Sequence, residues 1–410
     1  MAGAAAAALD EAHRRDWALV LASTVRVTRD LDVAEDCVQH AYTQALTSWE
    51  RHGVPRNPAA WLTTVARNRA LDVRRREATA TRKLPLLVDD PVESEPAGSG
   101  APGDIPDERL RLVCTCCHPA LSLEAQIALT LRLVCGLTTG EVARAFLVAE
   151  TTMAARITRA KKKIAAARIP YRVPPAAELP ERIRAVLEVV HLLYTTGHTA
   201  PLGEAVRRAP LVERAFDLAQ MLRVLLPEDE EVAGLLALIL LTDARQAARV
   251  GRDGELVLLA DQDRSLWDRA AIGAGLSLLA PQNVDGKFGL MAAIAAVHSA
   301  APSWDATDWP RLVGLYDRLL ERWPSPVVAL NRAVAVGFAH GPEAGLVAID
   351  ALGDDTRVAT YRYLASARAD FLRRLGRLDD ARLAYEEAML LTDNSVERRF
   401  LQRQLQELDG

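Results

Sequence analysis

Lysine and arginine side chains gather in two short stretches of the chain, and cations of this kind bind the phosphates of nucleic acids. Between Thr151 and Lys163 there are five basic residues and no acidic one. The second stretch contains Arg67, Arg69, Arg74, Arg75 and Arg76. Contacts to phosphate give affinity with little sequence choice, so base reading must come from neighbouring residues.

The first stretch lies in a helix-turn-helix pattern over residues 137–164. Thr138 and Glu141 have the spacing of a capping box, which predicts a helix that starts at Thr139 and buries Val142, Ala145 and Phe146. After a turn near residues 147–148, a second helix is predicted to pack inward through Met153, Ile157, Ala160 and Ile164 and to expose Thr152, Arg156, Arg159 and Lys163. Base reading would fall to residues near its N-terminus, Glu150, Thr151, Thr152 and Ala155. The alternative is an amphipathic helix with a solvated basic face.

Two further helices are predicted upstream. One begins near Asp32, and its buried side is predicted to contain Ala34, Cys37, Val38, Ala41, Ala45 and Leu46. The acids Asp30, Asp32, Glu35 and Asp36 crowd its start, where they either cap the helix or form an acidic contact surface. The next helix carries the arginine stretch and an apolar stripe of Trp61, Leu62, Val65, Ala66 and Leu71.

Two smaller groups of residues could also do chemistry. Cys114, Cys116, Cys117 and His118 are close enough to suggest a metal or redox site, but their spacing is not the usual CxxC and no second ligand pair follows. Buried structural cysteines are the alternative. The second group is Asp261, Asp263, Arg264, Trp267 and Asp268, which either binds a cation or caps a helix and pairs internally with arginine. No phosphate-binding loop, nucleophile elbow or metalloprotease motif is present, so we expect no enzyme activity.

Composition and charge predict an intracellular, multi-domain protein. Its 410 residues are half hydrophobic and a quarter charged, which is enough for several cores. Five cysteines argue against a disulfide framework, and no apolar run is long enough to span a membrane. Residues 1–175 carry 24 Lys and Arg against 20 Asp and Glu, whereas the remainder has a net charge of −8. The basic half therefore precedes an acidic half that nucleic acid would repel.

The second half reads as packed helices. Residues 326–352 and 363–394 resemble helical hairpins of tetratricopeptide (TPR) type, and Gly341 and Gly376 are separated by 35 residues, close to that repeat's period of about 34. In the second of these hairpins the close-packing positions are Ala369, Gly376, Ala381, Tyr385 and Ala388. Stacked hairpins form concave surfaces that bind peptides or proteins.

Residues 10 to 170, with these motifs in this order, resemble an extracytoplasmic-function sigma factor, a bacterial RNA polymerase subunit that selects and opens promoters. The whole chain resembles the subgroup with a TPR-like C-terminal extension. The resemblance implies an all-α fold with five segments: sigma region 2 at 10–83, a flexible linker at 84–105, sigma region 4 at 106–172, a helical extension at 176–280 and TPR-like repeats at 281–410. The protein would be cytoplasmic and nucleoid-associated, without a cofactor or a metal.

The resemblance also assigns residues and partners. Core polymerase would bind through its beta-prime clamp helices to Asp32, Glu35, Asp36 and Gln39, with the beta flap as a further contact. The −10 promoter element would contact Arg51, Arg56, Asn57, Trp61, Arg67, Asn68, Arg74 and Arg75. The −35 element would contact Glu150, Thr151, Thr152, Ala155, Arg156, Arg159 and Lys163. Regulatory contacts are expected at Asp261, Asp263, Arg264 and Trp267, and a protein partner is expected for the C-terminal domain.

Three positions depart from the common family pattern. Many relatives have Lys at the position of Ala154, Ser or Thr at that of Ala149, and an acid at that of His40, so the promoter sequence does not transfer. Two other functions compete with the sigma reading. A stand-alone helix-turn-helix regulator with a protein-binding TPR-like domain would need only the second motif, and a TPR scaffold would need neither. Only the sigma reading uses the acidic helix from Asp32 to Gln39, and charge reversal there is expected to abolish polymerase binding while sparing the fold.

Overall fold

The computed structural model describes residues 2–82, 108–146, 148–175, 177–198, 209–251, 256–279, 285–352, 361–392 and 394–408. The described residues are helical, with one isolated bridge between Val250 and Leu256 and no strand, so the predicted all-α class is confirmed. The predicted linker at 84–105 lies outside the described residues. The chain divides into two compact units, residues 1–189 and 190–410.

The first unit contains seven helices and the start of an eighth among the described residues. They are α1 Ala2–Thr28, α2 Leu31–His52, α3 Pro58–Arg82, α4 Glu108–Cys116, α5 Leu123–Leu129, α6 Thr139–Phe146, α7 Glu150–Ala166 and α8 Leu179–His198. Helix α5 continues as a π-helical segment at Thr130–Val134. The boundary between the two units falls within α8. Helices α1, α2 and α3 pack against one another, and α1 also packs against α4 and the π-helical segment.

The predicted amphipathic faces of α2 and α3 contribute to the core that these helices share with α1. Ala34, Val38 and Ala45 of α2 and Leu62 and Ala66 of α3 have no accessible surface. Burial of such faces, rather than helix propensity, supplies most of the stability of helices in proteins.

The prediction that Leu46 and Leu71 belong to these buried faces is wrong. Leu46 is 46% exposed and Leu71 is 43% exposed. Each follows a fully buried alanine in the sequence, Ala45 and Ala70, and the 100° turn between adjacent helical residues carries the next side chain off the buried stripe.

Among the described residues, the second unit contains the C-terminal part of α8 and ten further helices. They are α9 Ala209–Leu225, α10 Glu230–Asp243, α11 Arg269–Leu279, α12 Lys287–Ala300, α13 Trp309–Arg322, α14 Pro326–His340, α15 Pro342–Asp350, α16 Arg362–Arg374, α17 Leu378–Leu390 and α18 Ser395–Glu407. Short 3₁₀ segments at Gln246–Ala248 and Arg264–Leu266 join α10 to α11. No helix in the described part of the chain is long and apolar enough to cross a membrane.

The helical hairpins predicted near the C-terminus are present as α14 with α15 and α16 with α17. Gly341 and Gly376 occupy the two turns with φ of 103° and 71°, a conformation that glycine adopts without steric cost. The alanines predicted for close packing, Ala369, Ala381 and Ala388, have no accessible surface, and Tyr385 is 2% exposed. Phe371 of α16 fills the space between these hairpins.

Candidate nucleic-acid and partner interface

The helix-turn-helix forms as the sequence predicted. The Thr138 hydroxyl accepts a hydrogen bond from the Glu141 amide at 3.2 Å, and the Glu141 carboxylate accepts one from the Thr138 amide at 2.7 Å. This capping box satisfies two donors at the start of α6, which begins at Thr139. Val142 is buried in α6, and the four residues predicted to face inward from α7, Met153, Ile157, Ala160 and Ile164, are all buried.

The outer face of α7 presents the residues predicted to contact the −35 element. Glu150, Thr151, Thr152, Ala155, Arg159 and Lys163 are exposed, and Arg156 is half-buried. The helix starts after Ala149, whose side chain makes no capping hydrogen bond. The amide groups of the first turn are therefore free of a side-chain cap, and such a helix end attracts phosphate.

The residues predicted for the −10 element lie along α3 and the loop before it. Arg51, Arg56, Asn57, Arg67, Asn68, Arg74 and Arg75 are exposed. The Asn57 side chain accepts a hydrogen bond from the Ala60 amide at 3.1 Å, so Asn57 also caps α3. Trp61 is half-buried and packs edge-to-face on Trp49, with ring centroids 5.8 Å apart. One face of α3 is thus cationic and begins at an aromatic pair.

The residues at the acidic start of α2 have different roles. Asp30, outside the predicted polymerase-binding set, is the helix cap, and its carboxylate accepts hydrogen bonds from the amides of Asp32 and Val33. Asp36 and Gln39 are exposed. The capping interpretation thus holds for Asp30, whereas Asp32 and Glu35 make ion pairs with other helices.

Lys161 of α7 reaches the acidic start of α2. Its Nζ lies 2.6 Å from Asp32 Oδ1 and 2.6 Å from Glu35 Oε2. The side chains of Lys161 and Glu35 are only 11% and 6% exposed, whereas that of Asp32 is 72% exposed. Arg132, in the π-helical segment, forms an ion pair with the other oxygen of Glu35. Two of the four predicted polymerase-binding residues therefore hold the helix predicted to read DNA.

Electrostatics stabilises Lys161 in its charged form. Burial alone would lower the pKa of Lys161, but the carboxylates of Glu35 and Asp32 raise it above its ordinary value. Lys161 is therefore charged at neutral pH. We call Lys161, Arg132, Asp32 and Glu35 the α2–α7 clasp.

Other polar contacts join α1 to the helix-turn-helix half of the first unit. The Trp17 indole donates to the Leu133 carbonyl at 3.0 Å, and the Tyr171 hydroxyl donates to the Ala22 carbonyl at 2.9 Å. Arg26 pairs with Glu108 at 3.3 Å. Sequence reasoning missed Lys161, Trp17 and Tyr171. The one available signal was the apolar, aromatic character of Trp17 and Tyr171, which does not specify a partner more than 100 residues away.

The cysteine group is part of the core. Cys114, Cys116 and Cys117 have no accessible surface, and the Cys117 thiol lies 3.4 Å from the Thr130 hydroxyl. Burial raises the pKa of Cys114 to about 12 and that of Cys117 to about 11, so both thiols are protonated at neutral pH. No group of three His, Cys, Asp or Glu able to hold a metal occurs in the part of the chain that the structure describes. These observations favour the structural interpretation.

The aspartates before α11 act mainly as caps. The Asp263 carboxylate accepts from the Ser265 amide at 2.8 Å, and that of Asp268 accepts from the Ala271 amide at 2.9 Å. Asp261 is exposed. Arg264 donates to the carbonyls of His298 and Ala301 instead of to a carboxylate. Trp267 is 3% exposed. The cap alternative holds for two aspartates, and in the part of the chain that the structure describes no ion pair joins Arg264 to a carboxylate.

The fold and the two cationic faces define a helical DNA-binding protein with a helix-turn-helix and a long helical extension. Residues 13–79 match the family model of Sigma-70 region 2, and residues 114–164 match that of Sigma-70 region 4. Residues 182–283 match a family of unknown function, DUF6596. An uncharacterized protein of Rhizobium meliloti (strain 1021) is 41% identical over 394 residues, which cover 95% of this chain and 93% of that protein. No solved structure matches the chain.

The chain belongs to the sigma-70 family, as a sigma factor with a C-terminal helical DUF6596 extension, an architecture consistent with the extracytoplasmic-function group. Its sigma domains direct RNA polymerase to promoter DNA, and members of the family are not enzymes. The resemblance drawn from the sequence is confirmed at this level.

Proposed function

We propose that this sigma factor exists in a closed state. In this state α2, the polymerase-binding helix, and α7, the −35-reading helix, are held together by ion pairs. Helix α2 would dock on the beta-prime clamp helices, with the beta flap as a further contact, while α3 and α7 would contact the −10 and −35 elements. The observation that supports a closed state is the pairing of Lys161 with Asp32 and Glu35. Polymerase binding through these carboxylates would then require Lys161 to leave.

Opening the clasp without a replacement partner carries a free-energy cost. Removal of one partner from a buried ion pair costs about 3–5 kcal/mol, because the other charge stays desolvated. A polymerase surface that supplies its own cations to Glu35 would replace Lys161 and avoid most of this cost. Core polymerase would then shift the population toward the open state by its differential affinity for that state.

The extension is proposed to control this opening, in the activating or the inhibiting direction. Support comes from the start of α8, which belongs to the first unit and overlaps the DUF6596 match. Its Arg182 donates a hydrogen bond to the Cys114 carbonyl at 3.0 Å, which joins the start of the extension to α4. The TPR-like hairpins would supply the surface for a protein partner, and the cap segment of Asp261, Asp263, Arg264 and Trp267 would supply regulatory contacts.

Transcription in vitro tests the sigma assignment and the docking face together. The assay would use bacterial core polymerase and the DNA upstream of the gene. It would compare the unsubstituted chain with Asp36→Lys, on the exposed face of α2, and with Asp10→Lys, a control at an exposed position of α1. We expect a specific transcript from the unsubstituted chain and from Asp10→Lys, and a loss of at least tenfold with Asp36→Lys. Equal transcription by both variants would remove α2 from the polymerase interface.

The role of the extension requires a second comparison. Residues 1–189, which form one compact unit, would be assayed beside the full chain after circular dichroism has established that the fragment is folded. A change in transcript yield of severalfold in either direction is expected, and its sign identifies activation or restraint. Identical yields from the two proteins would refute control by the extension.

A further inference from the structure

A group of arginines lies where the segment after α10 meets the segment before α11. The two segments are joined by a hydrogen bond from the Asp268 amide to the Ala244 carbonyl at 2.9 Å. Arg245 and Arg249 follow this carbonyl in the first segment, and Arg264 stands in the second. Trp267 lies beneath the Arg264 guanidinium, whose carbon atom is 4.4 Å from the ring centroid.

The recorded hydrogen bonds of Arg264 go to neutral carbonyl groups, and Arg249 contacts His198. Arg249 donates to the His198 carbonyl at 2.9 Å and contacts the His198 ring at 2.8 Å. Arg264 donates to the carbonyls of His298 and Ala301 at 3.0 and 2.7 Å. Among the described residues, neither Arg245 nor Arg264 forms an ion pair with a carboxylate. Within the described structure, the positive charges of Arg245 and Arg264 therefore lack a carboxylate partner.

Several polar atoms of the group are buried without a hydrogen-bond partner in the described structure. They are Nε of Arg245, Nη2 of Arg264, Nε1 of Trp267 and Nδ1 of His298. The first three can only donate, so what is missing is an acceptor. A buried donor without an acceptor is destabilising, because it has lost its hydrogen bonds to water. Arg245, Arg264 and His298 are themselves only half-buried, so the group reaches the protein surface.

The titration behaviour of the group agrees with an electropositive environment. Burial, with the nearby charges of Arg249 and Arg264, lowers the pKa of Arg245 to about 10. Burial, with Arg245 and Arg264, lowers the pKa of His298 to about 4. An anion placed among these groups would oppose both shifts, because opposite charge favours the protonated forms.

We propose that Arg245, Arg264, Trp267 and His298 form a binding site for a small oxyanion, a carboxylate or a phosphate. Guanidinium groups bind both in a forked geometry, and the indole N–H supplies a further donor. The site lies within the segment that matches DUF6596. It goes beyond the proposed function, because neither polymerase binding nor promoter recognition requires it.

Thermal unfolding of the full chain tests the proposal directly. Inorganic phosphate and acetate would be titrated separately at constant ionic strength, adjusted with sodium chloride. We expect a saturable rise in Tm with at least one of the two anions, and the one that saturates at lower concentration identifies the oxyanion class. Absence of a saturable rise with both would overturn the proposal.

Two substitutions separate binding from nonspecific salt effects. Arg245→Met is expected to raise Tm without added anion, because it removes an uncompensated buried charge, and to abolish the saturable rise. Arg318→Met changes an exposed arginine that pairs with Asp285 at 3.2 Å, and it should retain the rise. The same response in Arg245→Met as in the unsubstituted chain would refute the site. If Arg245→Met does not fold, Trp267→Phe decides, since it removes the indole donor but keeps an aromatic ring beneath Arg264, and it is expected to weaken anion binding severalfold.

Discussion

Two cations, one in each compact unit, show how differently this protein treats buried charge. Lys161 in the first unit has two carboxylates within 2.6 Å, which raise its pKa. Arg245 in the second unit has arginine neighbours that, with burial, lower its pKa to about 10. Removing the partners of a buried, paired cation leaves its charge desolvated without compensation, whereas a buried cation with no carboxylate partner carries that cost already. Lys161 is neutralised by carboxylates of the same chain, whereas Arg245 belongs to the site that we propose for an external anion.

The largest effect is expected at the buried carboxylate of the clasp. Glu35→Gln removes the charge that Lys161 and Arg132 share, and we expect it to lower the free energy of unfolding by about 3–5 kcal/mol. Urea unfolding followed by circular dichroism would measure this, with Asp36→Asn as a control at an exposed position of the same helix. A loss no greater than that of the control would show that the clasp is not stabilising. The expectation that charge reversal across all of Asp32 to Gln39 spares the fold is therefore restricted to the exposed positions.

Acidification should weaken the second unit. Burial lowers the pKa of His298 and of His191 to about 4 each, so both are neutral in the folded state at pH 7. The folded-state pKa lies below the unfolded value near 6.5, so stability is fully present above pH 6.5 and is lost as pH falls toward 4. At pH 5 each histidine is expected to cost about 2 kcal/mol, a combined loss of about 4 kcal/mol, measured by unfolding from pH 7.5 to 4.5. His191→Gln/His298→Gln should flatten this dependence, and an unchanged slope would contradict the assignment.

A smaller effect of opposite sign is expected at Arg245. Without added oxyanion, Arg245→Met should increase the free energy of unfolding by about 1–2 kcal/mol, because an apolar side chain replaces a desolvated cation without a carboxylate partner. Urea unfolding in chloride buffer measures the change against Arg318→Met. If Arg245→Met lowers the free energy of unfolding and Arg318→Met does not, Arg245 has a stabilising partner. That result would contradict the contrast between Arg245 and Lys161.

The smallest effect is expected at the exposed arm of the clasp. Asp32 is 72% exposed, and pairs of this kind contribute about 0–1 kcal/mol. Asp32→Asn should therefore cost less than 1 kcal/mol, and the cost should shrink further in 0.5 M salt because exposed pairs are screened. A loss equal to that of Glu35→Gln would indicate that the two carboxylates act as one unit.

Local patterns predicted much of this molecule from its sequence. The capping box at Thr138 and Glu141 and the inward stripe of α7 formed as expected, because both depend on residues three or four positions apart. The turn glycines Gly341 and Gly376 also follow from local backbone requirements. These features needed no knowledge of tertiary packing.

Contacts between distant segments were not predictable in the same way. Lys161 reads as one of five cations on a basic helix, and nothing in that run indicates two carboxylates 126 and 129 positions away. Arg264 was expected to pair with a nearby aspartate, but backbone amides take the carboxylates of Asp263 and Asp268. Short-range capping won that competition because it needs less ordering of long side chains.

The closed state is tested most directly by the affinity of core polymerase for Lys161→Met and Lys162→Met in the absence of promoter DNA. The two substitutions remove the same charge from adjacent positions, but Lys162 is exposed and Lys161 is held in the clasp. Opening the clasp increases the fraction of binding-competent molecules, so we predict that Lys161→Met binds core polymerase about tenfold more tightly than Lys162→Met. Equal affinities, or weaker binding by Lys161→Met, would contradict the closed state.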